Sequence, residues 1–589
     1  MADEYKNLVE VLTRSVSEHF AQELFGTKRG ATWEWITYGE FNTLVDEFRG
    51  GLAALGVGSG DKVAIISNNR VEWATAAYAT YGRGASYVPM YEAQLPKEWK
   101  FILQDSGAKV VIAATTDIFK KLKEIQSELS TLEHVINMEG DASDEESMAT
   151  VSAKGKATPA AAIEPATESV AGFIYTSGTT GQPKGVMLSH ANVCSNLNAL
   201  HTILPFEGER SLAFLPWAHS FGQTCELHSL VSSGCSLAIN DDVANLVANL
   251  SEVKPTVLYA VPRVFNRIYD GVHKQMKAKP APIQKLFHAG IKNATKVNNG
   301  EPIGLLAQIG LNIADKIIFT KVRERFGGRL SMVVSGSAAL STDVAKFIDA
   351  LGIKVYEGYG LTETSPITST NFPDNRKIGS VGKAIPGVTV TIDRKATDGH
   401  DDGKSGEILV KGPNIMLGYH NRAEENEKVL MEDRTFRTGD LGYLDSDGYL
   451  YITGRIKEQY KLENGKYVSP AVLEESLKLS PFIANVMLHG MNKPHNVALV
   501  VADAASVKEW AAEEGISVGD IVGNPEVEKL IEREVASFGG DFKGFERPKK
   551  CLVITDDFTT ENEMLTQSMK LKRRNVMAKY GEALDALYE

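Results

Sequence analysis

The stretch from Tyr175 to Gly185, YTSGTTGQPKG, places a run of Gly, Ser and Thr directly after an apolar segment, AGFIY, and closes it on Lys184. Such a loop suits phosphate. Small residues let backbone N–H groups approach oxygens, hydroxyls donate further hydrogen bonds, and the lysine supplies a point charge. It is not a Walker A loop, which needs GxxxxGK[ST]: here Lys184 follows Pro183 and precedes Gly185. Composition alone gives only this phosphate hint. Neither a metal cage nor a disulfide framework is indicated, because Cys194, Cys225, Cys235 and Cys551 show neither CxxC spacing nor histidine partners at zinc-ligand spacing.

The loop resembles the signature loop of the adenylate-forming superfamily, which includes acyl-CoA synthetases, firefly-type luciferases and peptide-synthetase adenylation domains. In that resemblance Ser177, Gly178, Thr179, Thr180 and Gly181 cradle phosphate with Lys184, and Thr176 contacts the magnesium ion. The similarity holds at further places in the expected order. SGSAAL, with Gly336, Ser337 and Ala338, and YEGYGLTET, with Glu357, Gly358, Tyr359, Gly360 and Thr362, look like the adenine-binding segments, with Tyr359 stacking on the base. Glu363 looks like the magnesium carboxylate, which ATP chemistry needs to hold a hard cation against phosphates. In TGDLGYLDSDGYLYITGR, Asp440 matches the carboxylate that holds both ribose hydroxyls and Arg455 a ribose- or phosphate-contacting arginine.

Lys457 matches the hinge about which the small domain of the family turns, and the Asn464-Gly465 turn matches a hairpin that enters the site for the thioester step. His219, in LPWAHSFG, matches a histidine bordering the acyl and adenylate site. Lys570, in MLTQSMKLKRR, aligns with the lysine inserted for adenylation, although Met569 stands where the family usually has Gly and Lys572 offers a competing cation. A cation there would bridge the attacking carboxylate and the α-phosphate as charge develops.

The elements that must position these residues follow from periodicity. Short apolar runs such as KVAIIS and AKVVIAA alternate with helical patterns such as GEFNTLVDEFRGGLAALGVG, which predicts α/β layers with largely parallel strands. Residues 139–168 are poor in bulky apolar residues and read as a mobile connection. Asn464-Gly465 between strand-like runs predicts a tight hairpin and Ser469-Pro470 a helix start. The texture changes after Gly454, so the expected organisation is a large domain of layered sheets and helices over residues 1–456 and a smaller, mobile α+β domain over 457–589.

The chain has 589 residues, too many for one hydrophobic core, and a net charge of −12 that disfavours nucleic acid and anionic surfaces as general partners. The lysine-rich segment 270–328 is the local exception, a surface suited to lipid or to a fatty substrate. No long apolar run or signal peptide is evident, and a reducing cytoplasm fits, with peripheral membrane contact through that segment. VLYAVPRVFNRIYDGV, the helical stretch after it and the LKLKRR ending look like long-chain fatty acyl-CoA synthetases. The implied substrates are a fatty acid, ATP with magnesium, and coenzyme A. Transfer of the acyl-adenylate to a carrier protein is the alternative, and a silent nucleotide- or fatty-acid-binding protein the alternative of another class. Monomer and homodimer are both open.

Overall fold

The computed structural model describes residues 4–177, 182–204, 206–397, 404–540, 542–566 and 569–589. The chain forms two compact units: Met1–Phe265, Lys274–Val390 and Val410–Arg437 make the larger, and Asn266–His273, Thr391–Leu409 and Thr438–Glu589 the smaller.

The larger unit is α/β. Its central sheet has seven strands in the order Gly418–Tyr419, Pro183–Ser189, Val170–Ser177, Ser86–Met90, Lys62–Ile66, Val110–Ala113, His134–Asn137. From Val170–Ser177 to His134–Asn137 neighbouring strands run parallel, as expected for apolar runs separated by helices. Ile65, Val88 and Ile112 are fully buried, each such side chain contributing roughly 1.5–3 kcal/mol relative to exposure. A five-stranded sheet follows the order Val257–Ala260, Met332–Ser335, Lys354–Gly360, Ile367–Thr370, Lys383–Ala384, and a four-stranded sheet packs Arg210–Ala213 and Ser236–Ile239 beside the hairpin Glu23–Arg29 and Thr32–Thr37.

The helix expected from GEFNTLVDEFRGG spans Tyr38–Ala54 and starts at a capping box, in which Thr37 and Glu40 satisfy each other's backbone N–H groups. Residues 139–168 depart from the expected connection, because Met148–Ala157 is a helix capped by Ser147. It packs against Tyr38–Ala54 so closely that a Cβ on Gly155 would lie 1.9 Å from the Glu47 carbonyl oxygen and 2.2 Å from the Gly51 nitrogen. The low side-chain bulk that suggested a linker is what permits backbone-to-backbone contact.

The smaller unit is α+β. Strands Ile483–His489, Asn496–Ala502 and Pro548–Ile554 form a sheet whose buried residues Val486, Val500 and Val553 cluster with Leu530 and Ile531 of helix Pro525–Phe538. Glu474, on helix Pro470–Leu477, pairs with Arg573 at the start of helix Arg573–Asp585. That helix start at Ser469-Pro470 is the one expected.

Candidate functional site

Strands Val170–Ser177 and Pro183–Ser189 pair antiparallel, which sets Thr176 opposite Lys184 and Ser177 opposite Pro183. Gly178, Thr179, Thr180 and Gly181 lie outside the described residues. On its other edge Pro183–Ser189 receives Gly418–Tyr419, with Val186 opposite Tyr419. Sheet pairing therefore brings Tyr419 to Lys184, whose ammonium lies 5.3 Å from the centre of the tyrosine ring. Lys184 is also ion-paired with Glu425, in the first turn of helix Ala423–Val429. The Tyr419 hydroxyl donates a 2.7 Å hydrogen bond to Oε1 of Glu363. One tyrosine thus links the expected phosphate lysine to the expected magnesium carboxylate, and the Glu363 carbonyl accepts the Met416 N–H at 2.9 Å.

The two expected adenine segments also meet. Strand Met332–Ser335 lies parallel to Lys354–Gly360 with Ser335 opposite Glu357. Just past it, Gly336 is buried beneath the Phe221 ring, while Ser337 and Ala338 are exposed. Glu357 is buried and accepts the backbone N–H groups of Leu340 and Gly379; burial outweighs these bonds and raises its carboxyl to about 7. Gly358 and Tyr359 are half-buried and Gly360 is exposed at the strand end, ahead of the turn Thr362–Thr364. Buried Thr362 lies with its hydroxyl 3.3 Å from that of Ser220.

His219, beside Ser220, accepts the Phe221 N–H on Nδ1 at 3.2 Å, so a neutral ring carries its proton on Nε2. It stands at the mouth of a π-helix, Phe221–His228, whose first ring packs on Gly336. Thr176, Lys184, Glu363, His219 and both adenine segments therefore belong to one unit.

The remaining expected residues lie in the smaller unit. Strands Phe436–Leu444 and Leu450–Arg455 place Asp440 opposite Arg455, whose Nε donates to Oδ1 of Asp440 at 2.6 Å. Asp440 is buried, and its own N–H donates to Thr438 Oγ1. Lys457 is exposed in the short helix Ile456–Glu458. The hairpin Tyr460–Lys461 and Tyr467–Val468 forms as expected, with Gly465 at φ +84° and Lys466 N–H donating to Asn464 Oδ1. Leu462 and Lys466 continue the pairing, so Glu463, Asn464 and Gly465 make a three-residue loop with glycine in the left-handed position.

Lys570 is exposed on a turn closed by two bonds: Lys570 N–H donates to Thr566 Oγ1 at 3.0 Å, and Thr566 N–H to the Lys570 carbonyl at 2.8 Å. Met569 adopts φ +61°, a conformation that suits glycine, which gives a physical reason for the family's Gly there. Lys572, the competing cation, is instead the half-buried cap of helix Arg573–Asp585, its N–H donating to the Met564 carbonyl.

Against known families, residues 17–420 match the AMP-binding enzyme model and residues 457–589 the AMP-binding enzyme C-terminal domain. The chain belongs to the AMP-binding enzyme family. It is 34% identical to a long-chain-fatty-acid–CoA ligase of Mycobacterium bovis over 94% of this chain and 92% of that protein. A peroxisomal long chain acyl-CoA synthetase of Arabidopsis thaliana is 30% identical over 95% of this chain and 82% of that protein. Among solved structures, the adenylation domain of a carboxylate reductase from Mycobacterium chelonae has a TM-score of 0.80 at 22% identity, covering 99% of this chain and 91% of that one, which establishes a shared fold.

Two residues of the network around Lys184 escape sequence reasoning. Tyr419 and Glu425 sit in GYHNRAEEN, a polar stretch with turn character. Their position depends on a two-residue strand added to a sheet edge, a pairing that no local periodicity announces.

Proposed function

We propose that this protein is an ATP-dependent, AMP-forming acyl-CoA synthetase that activates a long-chain fatty acid as acyl-adenylate and then as thioester. The supporting observation is near full-length similarity to long-chain-fatty-acid–CoA ligases in a chain whose Lys184, Tyr419 and Glu363 are joined in one network. Delivery to a carrier protein has less support, since the curated relatives named above are CoA ligases or synthetases.

In the first half-reaction the fatty carboxylate attacks the α-phosphate of Mg-ATP and pyrophosphate leaves. Thr176 and the Ser177–Gly181 loop would receive phosphate oxygens, and Lys184 would balance their charge. Gly336, Ser337, Ala338, Glu357, Gly358, Tyr359, Gly360 and Thr362 would frame the adenine, while Asp440, anchored by Arg455, would accept the ribose hydroxyls. One carboxylate, Glu363, and one hydroxyl, Thr176, suit an ion that keeps its waters and phosphate oxygens. Among the described residues no group of three or more His, Cys, Asp or Glu forms a separate cage. When bound, magnesium would neutralise phosphate charge.

In our reading residues 1–456 and 457–589 act as two domains that turn about Lys457. Lys570 is presented for adenylation; the hairpin bearing Gly465 replaces it when the CoA thiol attacks the acyl carbonyl and AMP leaves. His219 would border the acyl group. No helix among the described residues is long and apolar enough to cross a membrane, and we place the enzyme in the cytoplasm, meeting lipid at its surface.

The test is CoA-dependent AMP production from Mg-ATP and a ladder of saturated acids from acetate to stearate. Each buried methylene is worth about 0.8 kcal/mol, so kcat/KM should climb to laurate or beyond. Pyrophosphate release without CoA-dependent turnover would instead support the carrier-protein reading, and a maximum at acetate would remove the long-chain one.

A further inference from the structure

Asp105 sits in the last turn of helix Pro96–Ser106, where a negative charge opposes the negative end of the helix dipole. Local helix chemistry therefore gives no reason for it, and its side chain is only 11% exposed. Its partners lie far along the chain, on two segments that meet at Lys184. The Tyr175 hydroxyl donates to Oδ2 of Asp105 at 2.9 Å, and the guanidinium of Arg422 faces Oδ1 at 3.5 Å. The Asp105 carbonyl, left without an intrahelical partner by the helix end, accepts the Nε2 proton of His420 at 3.0 Å. One residue thus ties a helix end to stretches of chain 70 and 317 positions away.

Each tie leads to a residue of the phosphate network. Tyr175 immediately precedes Thr176, which faces Lys184 across the ladder, and its ring packs on Gly185, where a Cβ would lie 2.9 Å from Cζ of the tyrosine. His420 prolongs the added strand Gly418–Tyr419: its N–H donates to the Gly185 carbonyl at 2.8 Å, and its ring meets Phe173 edge-on at 5.1 Å. Arg422 stands just ahead of helix Ala423–Val429, and its carbonyl accepts the N–H groups of Glu425 and Asn426 at 3.1 and 3.0 Å. Glu425 in turn holds the Lys184 ammonium, while Asn426 closes back on the Tyr419 backbone through bonds of 2.7 and 3.0 Å. Glycine-rich sequence loses more conformational freedom than any other when it closes on a ligand, so roots that are held in advance lower the cost of binding.

We infer that Asp105 is a positioning residue for nucleotide binding: it fixes the strand end at Thr176 and the segment carrying Tyr419 and Glu425 in one piece, with Lys184 between them. The inference rests on the reading of this site as one that binds Mg-ATP, and it requires no particular acid.

Calorimetric titration of the full chain with Mg-ATP, without acid or CoA, tests it apart from turnover. Asp105→Ala should weaken Mg-ATP binding by about tenfold, and Asp105→Asn, which keeps an acceptor for Tyr175 but loses the charge facing Arg422, by about threefold. Tyr175→Phe should cost about threefold alone and add little to Asp105→Ala, because both remove the same bond. In steady state the loss should fall on the KM for Mg-ATP, with thioester formation from supplied acyl-AMP within about twofold of wild type; a residue that only supports the fold would lower both half-reactions together. Asp105→Asn and Tyr175→Phe carry the test if Asp105→Ala does not fold. If both bind Mg-ATP like the wild type, or if the losses of Asp105→Ala and Tyr175→Phe simply add, the inference is overturned. Wild-type protein that binds no Mg-ATP would overturn it together with the ATP reading. Wild-type protein that binds Mg-ATP but activates no acid would remove the proposed reaction alone, and the graded losses would still support this role.

Discussion

The larger unit holds Thr176, Lys184, Tyr419 and the adenine segments on sheet strands and their immediate ends, whereas the smaller unit holds two of its three proposed moving parts on turns. Thr176, Lys184, Tyr419 and Glu363 are fixed by strand pairing and by one another. Gly465 and Lys570 are exposed at loop positions, with left-handed backbone at Gly465 and at Met569, beside the lysine. The contrast teaches where each half-reaction gets its selectivity. Groups needed in both steps belong on a scaffold that cannot shift, and groups needed in one step belong where a small rearrangement presents or removes them.

The strongest way to break that contrast is Lys570→Ala. Adenylation, read by pyrophosphate exchange, should fall by about a thousandfold, while thioester formation from supplied acyl-AMP should change little. Equal loss in both half-reactions would place Lys570 with the fixed groups. Tyr419→Phe sharpens the other side. It removes the hydroxyl that holds Glu363 but keeps the ring beside Lys184, so the KM for Mg-ATP should rise about five- to tenfold, with the acyl-AMP half-reaction less affected.

Glu357 supplies a pH-dependent probe of the scaffold. Its carboxyl is raised from the ordinary 4.5 to about 7, so between these values the folded state holds a proton that the unfolded state has lost. Stability contributed by this group is intact below the unfolded value and is lost as pH rises through that window. Glu357→Gln does not titrate, so its melting temperature relative to wild type should improve between about pH 5 and about pH 8. A constant difference would mean that burial does not govern this carboxyl. The smallest effect belongs to Met569→Gly: relief of left-handed backbone should stabilise the turn by about 1 kcal/mol, visible in denaturant unfolding, with adenylation preserved. Loss of adenylation in that variant would show that the methionine side chain itself is needed.

Much of this arrangement was legible in the sequence where a local rule applied. The Asn464-Gly465 hairpin and the Ser469-Pro470 helix start each depend on residues within one turn, and each formed. The family motifs located Asp440 and Arg455, which the structure holds opposite each other. What stayed hidden depends on distant partners. Tyr419 is placed by pairing with Val186 and by its bond to Glu363, and the helix Met148–Ala157 is stabilised against a helix about a hundred residues earlier. The Met569 departure could be seen in the motif, but its physical meaning needed the backbone angle.

The contact around Gly155 has a consequence for how much variation the chain can absorb. No side chain fits where Gly155 meets the Glu47 carbonyl and the Gly51 nitrogen, and Gly50 and Gly51 are crowded in turn by the backbone of Gly155 and Val151, so the three glycines cannot drift independently. A library of substitutions should leave this seam nearly blank although it carries no charge, no aromatic ring and no reactive group. Intolerance shared by Gly50, Gly51 and Gly155 would reveal the paired helices from growth data alone, in a stretch where composition says only that little is there.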